Sequence, residues 1–283
     1  MIANLRPAIV SMVLFTALLG LAYPLGVTGL AQALFPAQAG GSLIRNASGE
    51  IVGVPENRAL YVGVLGRTLW MSLLVTVSCL ILGYPVAWLL ATLPMRTSNM
   101  LMILVLLPFW TSLLVRTCAW MLVLQKEGVV NDVLVWLHLV PEPVQLVFNR
   151  FGVIISMTHI LLPFMILPLY SVMKGIPPDF MRAAISLGAN PAEAFYKVYV
   201  PQTMPGIGAG CLLVFILAIG YYITPALLGS PTDQMLSYFI AFFTNNTINW
   251  GMASALAVIL LTATMILYVV YSRLIGFDRM KLG

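Results

Sequence analysis

Charge is what this chain has least of. Asp, Glu, Lys and Arg make up 8% of its 283 residues, while 61% are hydrophobic and the mean hydropathy is +0.99. Soluble domains carry about 25% charged residues, so a water-soluble fold is excluded for most of the chain. The apolar runs between Arg67 and Tyr271 contain no Asp or Glu. Proton-coupled carriers and cation sites place carboxylates at membrane depth, so this absence argues against a secondary transporter. It argues equally against a potassium pore built from carboxylates, though a carbonyl filter stays open. No Gly-x-x-x-x-Gly-Lys-Ser/Thr stretch is present to cradle nucleotide phosphates, and no His-Glu-x-x-His or nucleophile elbow occurs. Cys79, Cys118 and Cys211 sit singly in apolar runs, which excludes a disulfide framework or metal spacing. Each is expected to be a small buried side chain. The chain is therefore read as no enzyme and as binding no cofactor or metal of its own. Its net charge of +5 is a topology signal, not a nucleic-acid patch.

What remains is an all-α, polytopic membrane protein of about six spans. A span needs about 20 apolar residues. Ala8–Phe35 exceeds that despite Gly20, Pro24, Gly26 and Gly29, and an uncleaved anchor fits it better than a signal peptide, whose apolar core runs about 7–15 residues. Residues 36–66 follow as an external loop. The further spans are predicted at Arg67–Ala91, Met100–Leu124, Phe151–Met173, Thr203–Leu228 and Gly251–Tyr271. Residues 125–150 form an outer segment with a short interfacial helix that sets Trp136 at headgroup level. Six spans put both termini in the cytoplasm. Arg6, Arg96, Lys174, Arg182, Lys197, Arg273, Arg279 and Lys281 then lie inside, against Arg45, Arg58, Arg67, Arg116, Lys126 and Arg150 outside or at span ends, a modest bias of the expected sign.

The longest polar interval of the second half, Gly175–Gly206, carries helical punctuation. Pro177 and Pro178 precede Asp179, a favourable opening for a short helix. Gly188 supplies a left-handed cap. Asn190 then caps a second helix, with Pro191 at its first position and Glu193 at capping-box spacing. Pro201 and Pro205 are expected to end the unit. Two short helices between membrane segments suit a docking element or an ordinary helical hairpin.

Helix-breaking residues also fall inside spans, where a cavity or neighbouring helices can satisfy the freed backbone. Gly220-Tyr221-Tyr222-Ile223-Thr224-Pro225 is one such break. Its tyrosines either reach a pathway, where aromatic faces attract an organic cation, or form an outer aromatic belt. Pro108-Phe109-Trp110-Thr111-Ser112 is another, and Gly83-Tyr84-Pro85 reads as a packing kink. Arg116 either snorkels to the surface or lines the path. His159, beside Pro163, reads as a helix-packing histidine. The candidate pathway is thus Trp110, Thr111, Arg116, Tyr221, Tyr222 and Thr224.

Two resemblances cover the chain. Arg182-Ala183-Ala184, Gly188 and Pro201 have the spacing of the cytoplasmic coupling loop of ABC-transporter permeases, whose signature is Glu-Ala-Ala, Gly and a distal Pro; Arg182 stands where that family has its acid. From about residue 54 the chain resembles permeases of polyamine (spermidine/putrescine) uptake systems, at Leu82-Gly83-Tyr84-Pro85, Pro108-Phe109-Trp110 with Arg116-Thr117, Asn149-Arg150-Phe151-Gly152, the coupling loop, and Gly220–Gly229. The resemblance implies a binding-protein-dependent transporter inner-membrane (MetI-like) fold in a bacterial inner membrane. It implies an ATP-binding cassette ATPase subunit that uses the ATP, a second permease subunit and an extracytoplasmic solute-binding protein. Coupling to the ATPase would fall on Asp179, Met181, Arg182, Ala183, Ala184, Gly188, Ala189, Glu193 and Pro201. Separately, Leu5–Ile44, with its Leu-Arg-Pro-Ala start, Tyr23-Pro24 and Gly41-Ser42-Leu43-Ile44, resembles the membrane anchor of the KdpC subunit of potassium-transporting ATPases. The similarity stops near Gly53, which reads as a fused gene start ahead of a permease domain at 54–283. An accessory subunit of a potassium pump, or a non-functional fusion, is the alternative.

Overall fold

A computed structural model describes residues 58–275, and these are helical with short connections. The predicted first span, 8–35, and the segment 1–53 lie outside the described residues. Helix α1 is Arg58–Thr92. It starts nine residues before the predicted span, so the external loop expected to run to 66 ends earlier. Pro85 lies within α1 and does not end it. Gly83 presses against Met165, whose Cγ lies 3.1 Å from where a Cβ would stand, so this stretch serves packing.

A tight turn at Leu93–Pro94 leads into α2, Met95–Leu106. The turn is pinned by buried Ser98, whose hydroxyl donates to the Leu90 carbonyl at 2.8 Å. The predicted third span is then interrupted. A 3-10 turn at Leu107–Trp110 ends α2, Thr111 is extended, and α3 restarts at Leu113–Val123, bent by 97° from the first piece. Pro108 explains the site of the break: it has no N–H for the ladder and its ring crowds the preceding turn. Among the described residues this bent pair joins four single helices long and apolar enough to cross a membrane.

Helix α4, Val129–Trp136, is short as predicted, with Trp136 75% exposed. Buried Asn131 fastens the segment by donating to the Gln125 and Val144 carbonyls and accepting from the Val144 N–H, at 2.8–3.0 Å. Helix α5, Arg150–Lys174, is the axis of the core: 61% of its central window is buried. Met157, Leu161, Met165 and Leu169 of α5 pack with Met71, Val75 and Cys79 of α1 in one cluster.

The chain next forms α6, Asp179–Ser186, and α7, Pro191–Ala194. Here one expectation is corrected. Pro201 and Pro205 do not end the helix; they lie in the first turns of α8, Val200–Gly220. The chain is helical from Pro191 to Gly220 because Phe195–Tyr199 widens to a π turn, in which the Val200 N–H reaches back to the Phe195 carbonyl. That wider register lets the chain pass Pro201, which would break an unmodified α ladder.

Helix α8 packs along α5 through Gly206 and Gly210, a Gly-x-x-x-Gly pair. A Cβ at Gly206 would stand 3.1 Å from Val172 Cβ, and one at Gly210 would stand 2.7 Å from Met165 Sδ and 3.2 Å from the Met165 carbonyl. Small residues let two backbones approach where lipid supplies no hydrophobic drive.

The predicted fifth span also ends early. Tyr221 is extended, and a separate helix, α9, covers Ile223–Leu228. Helix α10, Leu236–Asn245, and α11, Trp250–Ile275, complete the described chain. The described residues divide into two compact units, 60–239 with 258–275, and 58–59 with 240–257. In the second, Asn249 caps α11 by accepting from the Met252 N–H at 3.1 Å.

Candidate functional site

Two regions carry the candidate residues. The first is the polar interval after α5. At the end of α6 the Gly188 N–H donates to the Ile185 carbonyl at 2.9 Å and the Ala189 N–H donates to the Ala184 carbonyl at 3.1 Å. This is the paired 6→1 and 5→2 pattern of a Schellman cap, and Gly188 holds φ +95° to make it. Asn190 Oδ1 accepts from the Glu193 N–H at 2.7 Å, the predicted cap. The reciprocal half of the capping box is not made, because Glu193 instead accepts from Lys197 Nζ at 2.6 Å. Arg182 donates to Asp179 Oδ1 at 3.4 Å across one turn, both side chains well exposed.

The caps are satisfied locally, so α6 stands out with its apolar side chains uncovered. Phe180 is 51% exposed, Ile185 46% and Leu187 89%. Ala183 is exposed, while Met181, Ala184, Ala189 and Glu193 are partly covered. Pro201 is exposed within α8. The root of the interval is tied to the fold: Lys174 Nζ donates to the Ala91 carbonyl at the end of α1, where a cation suits free helix carbonyls.

The second region surrounds the two helix breaks. Thr117 Oγ1 of α3 lies 3.3 Å from Thr224 Oγ1 of α9, both buried, which ties the restarted helices together. The Ser237 hydroxyl donates to the Tyr221 carbonyl at 2.7 Å, satisfying backbone freed by the break. Arg116 and His159 face one small cavity beside Trp120. Trp120 Nε1 donates to His159 Nδ1 at 3.1 Å. His159 therefore has a partner as expected, yet it is exposed instead of packed in the interior. Tyr222 is 40% exposed, so the adjacent tyrosines do face differently.

Not every candidate joins this group. Trp110 is 90% exposed and Thr111 donates only to the Pro108 carbonyl within its own turn. Neither has a hydrogen bond to Arg116, Tyr221, Tyr222 or Thr224 among the described residues. Cys118 is exposed, against the expectation that each cysteine is buried, because the restarted α3 turns that face away from the core.

Sequence reasoning missed a clamp beside the second break. Asp233 is 4% exposed, its Oδ1 accepts from Arg150 Nε at 2.9 Å, and its Oδ2 accepts from the Ser230 hydroxyl at 2.7 Å. Arg67 donates to the Thr232 carbonyl and, at 2.7 Å, to the Gln234 carbonyl. Thr68 Oγ1 accepts from the Leu236 N–H at 2.9 Å. Burial pushes the Asp233 carboxyl up, but the Ser230 hydroxyl and the Arg150 guanidinium outweigh it and hold the group below the usual carboxylate range. The available signal was scarcity: Asp233 is a lone acid between apolar runs, Arg67 opens one predicted span and Arg150 immediately precedes another.

These features agree with what the chain is similar to. Residues 59–276 match the family of binding-protein-dependent transport system inner membrane components. The chain belongs to that family, the membrane-spanning permeases of binding-protein-dependent transport. It is 37% identical over 214 residues to the spermidine/putrescine transport system permease protein PotB of Escherichia coli K12, covering 76% of this chain and 78% of that protein. Residues 5–56 match a different family, the c chain of K+-transporting ATPase. There the chain is 72% identical over 53 residues to the potassium-transporting ATPase KdpC subunit of Caulobacter vibrioides, covering 19% of this chain and 27% of that one. Among solved structures, a bacterial alginate ABC transporter in complex with an alginate pentasaccharide-bound periplasmic protein superposes with a TM-score of 0.68 at 17% identity, over 99% of this chain and 95% of that one. That likeness supports the all-helical permease fold.

Proposed function

We propose that this chain is the membrane half of an ATP-driven importer for small organic solutes, with polyamines the leading class. The observation that carries the coupling is α6. A helix closed at its C-terminus by the Gly188 cap, with Phe180, Ile185 and Leu187 uncovered, is a knob with an unfilled partner surface. A separate ATP-binding cassette ATPase receives it, and residues 179–198 pass nucleotide-driven motion into α8, with which α7 is continuous. No nucleotide, cofactor or metal is held by this chain on this reading. A second permease subunit and an extracytoplasmic solute-binding protein complete the machine. The chain crosses the inner membrane several times with both termini cytoplasmic, and the helix breaks around Arg116, Thr224, Tyr221 and Tyr222 line the path. The substrate class rests on the similarity to spermidine/putrescine permeases.

Arg182 replaces the family's acid without removing the knob, because its partner Asp179 lies within the same helix. The test is to co-purify the chain with its ATPase and substitute Gly188→Pro, which destroys the cap. Lost complex formation or lost solute-stimulated ATP hydrolysis is expected; if both persist, the coupling reading is wrong.

A second reading rests on residues 1–53 alone. The KdpC-like segment would make the chain an accessory subunit of a potassium-transporting ATPase, or an inactive fusion of two gene pieces at the boundary near residue 54. Potassium-stimulated ATP hydrolysis in material co-purified with this chain would favour the first of these.

A further inference from the structure

The group around Arg116 holds an imbalance that the importer reading does not use. Arg116 and Trp120 lie four residues apart on α3, hence on one face, and with Ala119, Val123 and His159 of α5 they line a cavity of about 130 Å³. The Arg116 Nε is buried and has no hydrogen-bond partner among the described residues. A guanidinium keeps its proton, so this partly covered side chain brings a permanent charge to the cavity. No Asp or Glu lies on α1, α2, α3, α5, α8, α9 or α11 to compensate it. The acid nearest in sequence to the second break, Asp233, is already held by Arg150 and Ser230.

The polar groups of the cavity share one sense. An indole N–H only donates, so His159 Nδ1 accepts and the neutral ring carries its proton on Nε2, a donor. The cavity therefore offers guanidinium and imidazole N–H groups and no free acceptor. An ammonium group has three donors and no acceptor, and it would meet both charge repulsion and unmatched donors here. A carboxylate supplies two acceptor oxygens and the missing charge, and it suits the planar fork of arginine.

We propose that this cavity is a carboxylate subsite beside the pathway, and that the solute suited to this chain carries a carboxylate as well as an amine. This rests on the importer reading and departs from its leading solute class, replacing a plain polyamine by an amine that also carries a carboxylate. The volume fits a carboxylate group and leaves the rest of the solute outside the cavity.

The test uses the full chain in liposomes, with radiolabelled 4-aminobutanoate as probe and 1,4-diaminobutane, which differs only in ending on a second amine, as competitor. Saturable binding is expected, displaced by excess acetate and poorly by the diamine. Arg116→Gln should weaken it at least tenfold, and Arg116→Lys should retain part of it. If either variant fails to fold, as read by its melting temperature, His159→Phe provides the comparison, with a severalfold loss expected. Absent saturable binding to the wild-type chain, equal binding to Arg116→Gln, or displacement by the diamine as strong as by the amino acid would each overturn the proposal. Failure of the importer reading shows elsewhere, as no association with an ATPase whatever this chain binds.

Discussion

The interval after α5 and the clamp beside the second helix break are both built from few polar residues in an apolar chain, but they are held in opposite ways. The caps and ion pairs of α6 and α7 each span six residues or fewer: the Gly188 cap, Asn190 on Glu193, Arg182 on Asp179 and Lys197 on Glu193, with longer-range ties such as Lys174 on Ala91 at the root of the interval. At the clamp, Arg150 reaches Asp233 and Arg67 reaches Thr232 and Gln234, bringing together residues 83 to 167 positions apart. Local fastening makes a part that stays folded while its surroundings move. Long-range fastening makes a part whose integrity depends on the whole bundle. The docking role proposed for α6 suits the first kind, and a pair of interrupted helices needs the second.

This contrast can be broken at its common support. Gly210→Leu forces a side chain between α5 and α8, on which both regions hang, and overpacking costs about 1–3 kcal/mol or more. The largest loss of thermal stability in detergent is expected here, with the ATPase and solute sites lost together. Asp233→Asn should follow, at about 1–2 kcal/mol, since it weakens a hydrogen bond to a charged group while Arg150 is half exposed. It should leave association with the ATPase intact, which sharpens the separation of the two regions.

The same carboxyl predicts a pH dependence. Its folded-state value is depressed, so its stabilisation is present above the ordinary carboxylate value of about 4 and is lost as pH falls below it. Wild-type chain should lose melting temperature on acidification through that range more steeply than Asp233→Asn does.

Gly188→Ala should cost about 1–2 kcal/mol by placing a Cβ at positive φ. The loss should appear as weaker ATPase association and hardly at all in global melting. Smallest of all, Arg182→Glu should alter stability by no more than about 0.5 kcal/mol, because the ion pair with Asp179 is exposed and screened. Any large effect of that substitution on ATP hydrolysis would assign Arg182 a direct contact with the partner.

Much of the first region was legible from residue order. Pro, Gly and Asn act through backbone angles and nearest neighbours, so the Gly188 and Asn190 caps followed from identity and spacing. The Pro201 stop was misread for the same reason: a proline's effect depends on the ladder before it, and the π turn at Phe195–Tyr199 absorbed it. The clamp was not legible, because nothing in sequence order says that Arg67, Arg150 and Asp233 meet. The Arg116 cavity lay between. Arg116 and His159 each stood out as an ionisable group within a span, but Trp120 did not, and nothing in sequence order said that the three meet.

By itself the sequence determined that this chain is a bundle of apolar helices with a capped polar interval, since hydropathy, periodicity and helix punctuation are local quantities. It also placed both helix breaks, because Pro108 and the Gly220-to-Pro225 run cannot continue a ladder. Only the tertiary structure decided which charges were neutralised and which were not. Asp233 is buried with Arg150 as its counter-charge and Arg116 has none among the described residues, and that outcome depends on which helices pack side by side, not on the order in which they are made.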